Sequence, residues 1–202
     1  FVGWHKDGAM LKEVWGGSGG SSYADSVGEF TNARVAMVLS GSWQLNRLQK
    51  DVGSKFDWVA VPNPCGGTAC SGIPGGAAWV ALKTSKSPKE VGMFMDFIAS
   101  EASYSEFIGK TNNIPAHQGL AKKGVSYPGA SPAVRSALSV FGSGVASLST
   151  EAYLFQGYKY NRAIMLPTVT RVTQAIVGEI SVDEALNKIN ADMVDAVKQA
   201  QK

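Results

Sequence analysis

Residue types that usually carry catalysis or hold metals are scarce in this chain. Only two cysteines, Cys65 and Cys70, and two histidines, His5 and His117, occur in 202 residues. Neither histidine stands at metal-ligand spacing from the cysteines, so the pattern excludes a His/Cys zinc site. The stretch Gly66–Ala69 between the cysteines is too long for a C-x-x-C redox pair. Charge is thin as well: 17% of residues are charged, against about 25% in ordinary domains. The 19 basic residues never run longer than an adjacent pair, and the net charge is +3. That excludes the dense basic footprint of a nucleic-acid binder. No apolar run approaches the roughly 18 residues that would suggest a membrane span. The glycine-rich stretches lack the Gly-Lys-Ser ending of a phosphate loop, and "SGSW" lacks the second glycine of a nucleophile elbow. Phe1, with neither a methionine nor an apolar leader, reads as a processed or truncated end.

What is present is enough apolar material for a core, 45% of residues. "PNPCGGTACSG" reads as a Gly-rich loop closed by a local Cys65–Cys70 disulfide, which places the chain in an oxidising compartment. Three short apolar runs read as strands: "RVAMVLSG" ending at Gly41, "FDWVAVPNP" and "AAWVALK". Helices are predicted from near Ser21 or Ser22, with Asp25 completing a capping box, and over 42–53 from a Ser42 cap to Gly53. Others are predicted from Pro88 to Ser100, from Ala102 to Gly109, over "SPAVRSALSVFGSG", and in the last 35 residues or so, with a stop at Gly178 and a Ser181 cap. Few strands among many helices predict an α/β fold. Asp183 and Glu184 sit at a helix start, where acids match the dipole. No catalytic residue, metal site or cofactor is assigned.

Aromatic residues at element ends are the candidate binding groups. Trp43 follows a strand at the head of a helix, beside the small residues Gly41 and Ser42. An indole face next to free helix N–H donors suits a sugar ring. The alternative is a core tryptophan. The second concentration is "AYLFQGYKYNRAIMLP", with Tyr158, Tyr160, Asn161 and Arg162. Asn161 and Arg162 carry donors that can fork onto vicinal hydroxyls; the alternative is a surface loop with one buried tyrosine. Trp15, beside Gly16 and Gly17, is a weaker candidate. "SGIPGGAAWVALKTSKSPKEVGMFMDFIAS" holds nothing catalytic, but Gly75 and Gly76 suit a sharp turn or a close approach.

In order, "FTNARVAMVLSGSWQ", "VPNP", "GIPGGAAWVALKTSKSPKEVGMFMDFIAS", "NIPA" and "GEISVDEALNKI" resemble a bacterial extracellular solute-binding protein of the sugar type. This is the family that includes maltose-binding protein and serves ATP-binding-cassette importers. The resemblance implies a periplasmic-binding-protein type II-like C-terminal lobe, plus a strand and helices of the N-terminal lobe. Residues 1–72 and 113–202 would then form the C-terminal lobe, and 73–112 the hinge crossing. It implies that Trp43 stacks on sugar, that Tyr160, Asn161 and Arg162 add second-lobe contacts, and that motion concentrates around Gly75 and Gly76. Implied partners are a sugar, the missing N-terminal lobe and the membrane permease, in the periplasm or outside the cell. Val80, Leu82, Phe94, Met95, Phe97 and Ile98 would be left exposed, to pack on that lobe or on another copy. The rival readings are an oligomerising α/β module with no ligand site and a sugar-processing enzyme, which would need a facing carboxylate pair.

Overall fold

The computed structural model describes residues 1–11, 25–67 and 70–201. The chain divides into two compact units, one formed by Phe1–Ala36 with Leu154–Lys202 and the other by Met37–Tyr153.

The Met37–Tyr153 unit is organised around α3 (Leu45–Val52) and α7 (Pro132–Gly144), which pack on each other. Leu45, Leu48 and Val52 recur on one helical face and are buried. Gly53 ends α3 at φ 54°, a conformation that glycine adopts without strain. Helix α7 begins with Pro132 in its first turn, and the Ser131 hydroxyl accepts the Val134 N–H at 3.3 Å. Its inward residues are Val134, Ala137 and Leu138. Leu45 is 1% exposed, so Leu45→Ala is expected to cost about 2–5 kcal/mol in urea unfolding, through lost burial and a cavity.

Helices α4 (Pro88–Ala99) and α5 (Glu101–Thr111) meet at Ser100. Its hydroxyl donates to Phe97 O at 2.8 Å and accepts from Ser103 N at 3.4 Å, closing one helix while opening the next. Helix α4 buries none of its residues. Helix α6 (Gln118–Lys123) is capped by His117, whose Nδ1 accepts the Leu120 N–H at 3.2 Å. Lys123 on this helix donates to Glu101 Oε1 at 2.6 Å, and that hydrogen bond holds the Glu101 carboxyl below its ordinary pKa. Helix α8 spans Thr150–Gly157.

In the first unit, α1 (Val2–Lys6) packs on α9 (Asn161–Val177). Helix α2 (Ser26–Thr31) is capped by Asp25, whose carboxylate accepts Gly28 N–H at 3.0 Å. The expected start near Ser21 or Ser22 lies outside the described residues. Helix α9 pairs with α10 (Val182–Ala200) across a turn at Gly178, φ 84°. Arg171 ties the pair together, donating to Asp192 Oδ2 at 2.7 Å. The Ser181 hydroxyl caps α10 by accepting from Glu184 N at 3.1 Å.

The expected α/β fold, with a strand and helices from a second lobe, is not what forms. The described residues contain helices and turns and no strand. The segments 35–41, 56–64 and 77–82, whose apolar, β-branched composition favours strands, form no regular element, and none lies beside another in a hydrogen-bonded ladder. Local sequence can straighten a segment; only a neighbour at about 4.8 Å makes it a strand. Lacking that neighbour, Met37, Leu39, Val59, Val61, Val80 and Leu82 stay exposed.

Candidate functional site

Gly41 is extended, at φ −142° and ψ 178°, and leads into a single 3-10 turn, Ser42–Gln44. The expected Ser42 cap is therefore displaced: Gly41 stands at the head of the 3-10 turn and Gln44 at the head of α3. Trp43 sits in this turn and is 64% exposed, so it is not a core residue. Its six-membered ring folds back onto Gly41. A Cβ at Gly41 would collide with ring atoms Cζ3, Cη2 and Cε3. The gap that Gly41 opens is thus filled by the indole itself, and the rest of the ring faces solvent.

Gly75 joins this group. A Cβ there would lie 3.5 Å from Trp43 Cζ3, an ordinary contact. Gly76 is exposed, with open space where a side chain would project. Neither Gly75 nor Gly76 has positive φ, so no glycine-only turn forms at this point. The preceding segment is anchored by Ser71, whose hydroxyl accepts from Ser149 N at 2.9 Å and donates to Gly72 O at 2.8 Å. Cys65 and Cys70 are joined in a disulfide with Cα atoms 4.4 Å apart. Trp15 lies outside the described residues.

Tyr160, Asn161 and Arg162 fall in the other unit, at the junction of α8 and α9. Tyr160 occupies the cap position of α9, and Asn161 and Arg162 begin that helix. Tyr158, Lys159 and Tyr160 form the turn between the two helices. The two tyrosine rings meet edge to face at 5.6 Å, and Lys159 Nζ stands 4.6 Å from the Tyr160 centroid. A hydrogen bond with Lys159 lowers the phenol's pKa, and the same bond raises that of the ammonium. Asn161 commits one amide hydrogen to Phe155 O at 2.9 Å. Arg162 is exposed.

Sequence reasoning found the indole but not its bed. Gly41 as the residue under the ring, and Asn46 one turn further on, carry no local signal, because both depend on how the turn folds back. Among the described residues no group of three or more His, Cys, Asp or Glu is placed to hold a metal ion. No helix among them is long and apolar enough to cross a membrane.

The site is thus an exposed indole in a Gly-Ser-Trp turn that leads into α3. Residues 2–132 match the family described as bacterial extracellular solute-binding protein, and the chain belongs to that family. It is similar to the maltodextrin-binding protein MdxE of Bacillus subtilis, at 27% identity over 96 residues, 46% of this chain and 22% of that protein. It is also similar to the maltooligosaccharide ABC transporter solute-binding lipoprotein of Streptococcus pneumoniae serotype 4. That identity is 26% over 89 residues, 44% of this chain and 21% of that protein. The matched region thus spans about a fifth of each relative's length.

Proposed function

We propose that this chain is the C-terminal portion of the substrate-binding component of an ATP-binding-cassette importer, and that it captures a sugar of the maltooligosaccharide class. The observation that carries this reading is the exposed Trp43 indole, fixed at a helix start within the family-matched residues 2–132. A glucan presents its C–H faces to an aromatic plane and its hydroxyls to nearby donors. The names of the two relatives support the sugar class. Tyr160, Asn161 and Arg162 supply further contacts, and Gly75 and Gly76 lie where the chain crosses into the other lobe. Residues 1–72 and 113–202 are assigned to the C-terminal lobe and 73–112 to the crossing with its N-terminal-lobe helices. The ligand closes the two lobes, the closed form is read by the membrane permease, and no bond is made or broken. The protein acts outside the cytoplasm, where Cys65–Cys70 stays oxidised.

The test is calorimetry on the full-length protein with glucose, maltose and maltotriose, beside a glycosidase assay. Saturable heats with the oligosaccharides and no hydrolysis support the reading; hydrolysis would replace it with an enzyme. A second reading is favoured by one observation. Val80, Leu82, Phe94 and Phe97 are exposed together, while Met95 and Ile98 are half-buried, which suits an oligomerising module with no competent ligand site. Absence of any sugar heat from the full-length protein would favour that module.

A further inference from the structure

Helix α3 carries two amide side chains one turn apart, and each bonds a distant segment through both of its ends. Asn46 Nδ2 donates to Thr111 O at 3.0 Å, and its Oδ1 accepts from Asn112 Nδ2 at 2.5 Å. Gln49 Nε2 donates to Gly129 O at 3.0 Å, and its Oε1 accepts from Ser131 N at 2.7 Å. The two clamps grip different places. Gln49, half-buried, holds the entry to α7. Asn46 holds the C-terminal end of α5, where the chain leaves α4 and α5 for the link 113–117.

The Asn46 clamp is built into the backbone. Thr111 O is a terminal carbonyl of α5 with no helical donor of its own. It takes the Asn46 amide and also Asn113 Nδ2 at 3.3 Å. Asn112 is left-handed, at φ 52°, and only 4% exposed. Asn113 O is held in turn by Tyr127 OH at 2.9 Å. The end of α5 is therefore tied by several hydrogen bonds, and Asn46 joins it to the first turn of α3.

Trp43 stands three residues before Asn46. Its own turn is held by two backbone hydrogen bonds, Gln44 N to Gly41 O at 3.1 Å and Leu45 N to Ser42 O, both local to the turn. We propose that Asn46 is a positioning residue that fixes the Trp43 indole to the end of α5, so that a shift of the 111–117 link and engagement of a sugar on the indole move together. The consequence for sugar rests on Trp43 being the sugar contact; the positioning itself does not.

The experiment uses the full-length protein labelled with fluorotryptophan, with the Trp43 fluorine resonance assigned through Trp43→Phe. Three variants are compared: Asn46→Ala, Asn112→Gly and Gln49→Ala. Asn112→Gly keeps the left-handed backbone and removes only the side-chain bond, so it reports even where Asn46→Ala folds poorly. Asn46→Ala and Asn112→Gly are expected to shift or broaden the Trp43 resonance and to weaken maltotriose binding by about tenfold, the scale of one lost hydrogen-bonded constraint. Gln49→Ala is expected to lower the unfolding midpoint while leaving the Trp43 resonance in place. An unmoved resonance in both clamp variants overturns the proposal, and so does an equal displacement by Gln49→Ala. If the unsubstituted protein binds no maltotriose, the sugar reading fails, while the fluorine comparison without ligand still decides the positioning role.

Discussion

Trp43→Ala in the full-length protein is expected to weaken oligosaccharide binding by about 30- to 150-fold, the range of a buried aromatic anchor at roughly 2–3 kcal/mol. Folding stability is expected to stay within about 1 kcal/mol, because little of the indole is buried before ligand arrives. The two effects separate because the ring's apolar face is covered by the sugar and not by the protein. Trp43→Phe, with a smaller ring and no N–H donor, falls between. Gly41→Ala gives the same loss by another route: its methyl collides with Cζ3 and Cη2, and the indole must swing off its bed. Calorimetry for affinity and urea unfolding for stability check both. A Trp43→Ala protein that loses affinity and stability together would make the tryptophan a structural residue.

The residue 1–202 chain taken alone is expected to self-associate at micromolar concentration and to bind a hydrophobic dye. Trp79, Val80, Leu82 and Phe97 are each more than half exposed, and Phe94 lies against Trp79 with ring centroids 5.6 Å apart. Val80 and Leu82 also line an open groove of about 310 Å³, with Ala81, Thr84, Ser85 and Val91. Contiguous apolar surface beyond a few hundred Å² is rarely left bare. Backbone groups along 77–82 also have no ladder partner, so an added strand would gain hydrogen bonds as well as burial. Leu82→Lys with Phe97→Lys is expected to return a monomer in sedimentation velocity, since a buried lysine would have to shed its hydration. A monomer without dye binding before any substitution would show that this face needs no cover.

Helices were legible where sequence chemistry is local. Ser131 with Pro132, Ser181 with Glu184, and Pro88 each marked a start that the structure shows. Helix α9 was read too short, because Pro167 argues against a helix that in fact begins at Asn161 and continues through it. Helix α8 has no counterpart in the sequence reading, which takes "AYLFQGYKYNRAIMLP" as ligand contacts or a surface loop. The strands failed for the opposite reason: Val59, Val61 and Val80 have the right composition, but pairing is decided by a neighbour that composition does not specify. The Trp43 turn was visible as Gly-Ser-Trp at a strand-to-helix junction. Its ties were not, because Asn46 meets Thr111 and Asn112 across more than sixty residues of chain.

The most direct measurement is a crystal structure of the full-length protein with maltotriose. The expected result is a glucosyl ring stacked about 4 Å from the Trp43 indole plane, within the range of aromatic contacts. A sugar bound elsewhere, with that indole still bare to solvent, would contradict it.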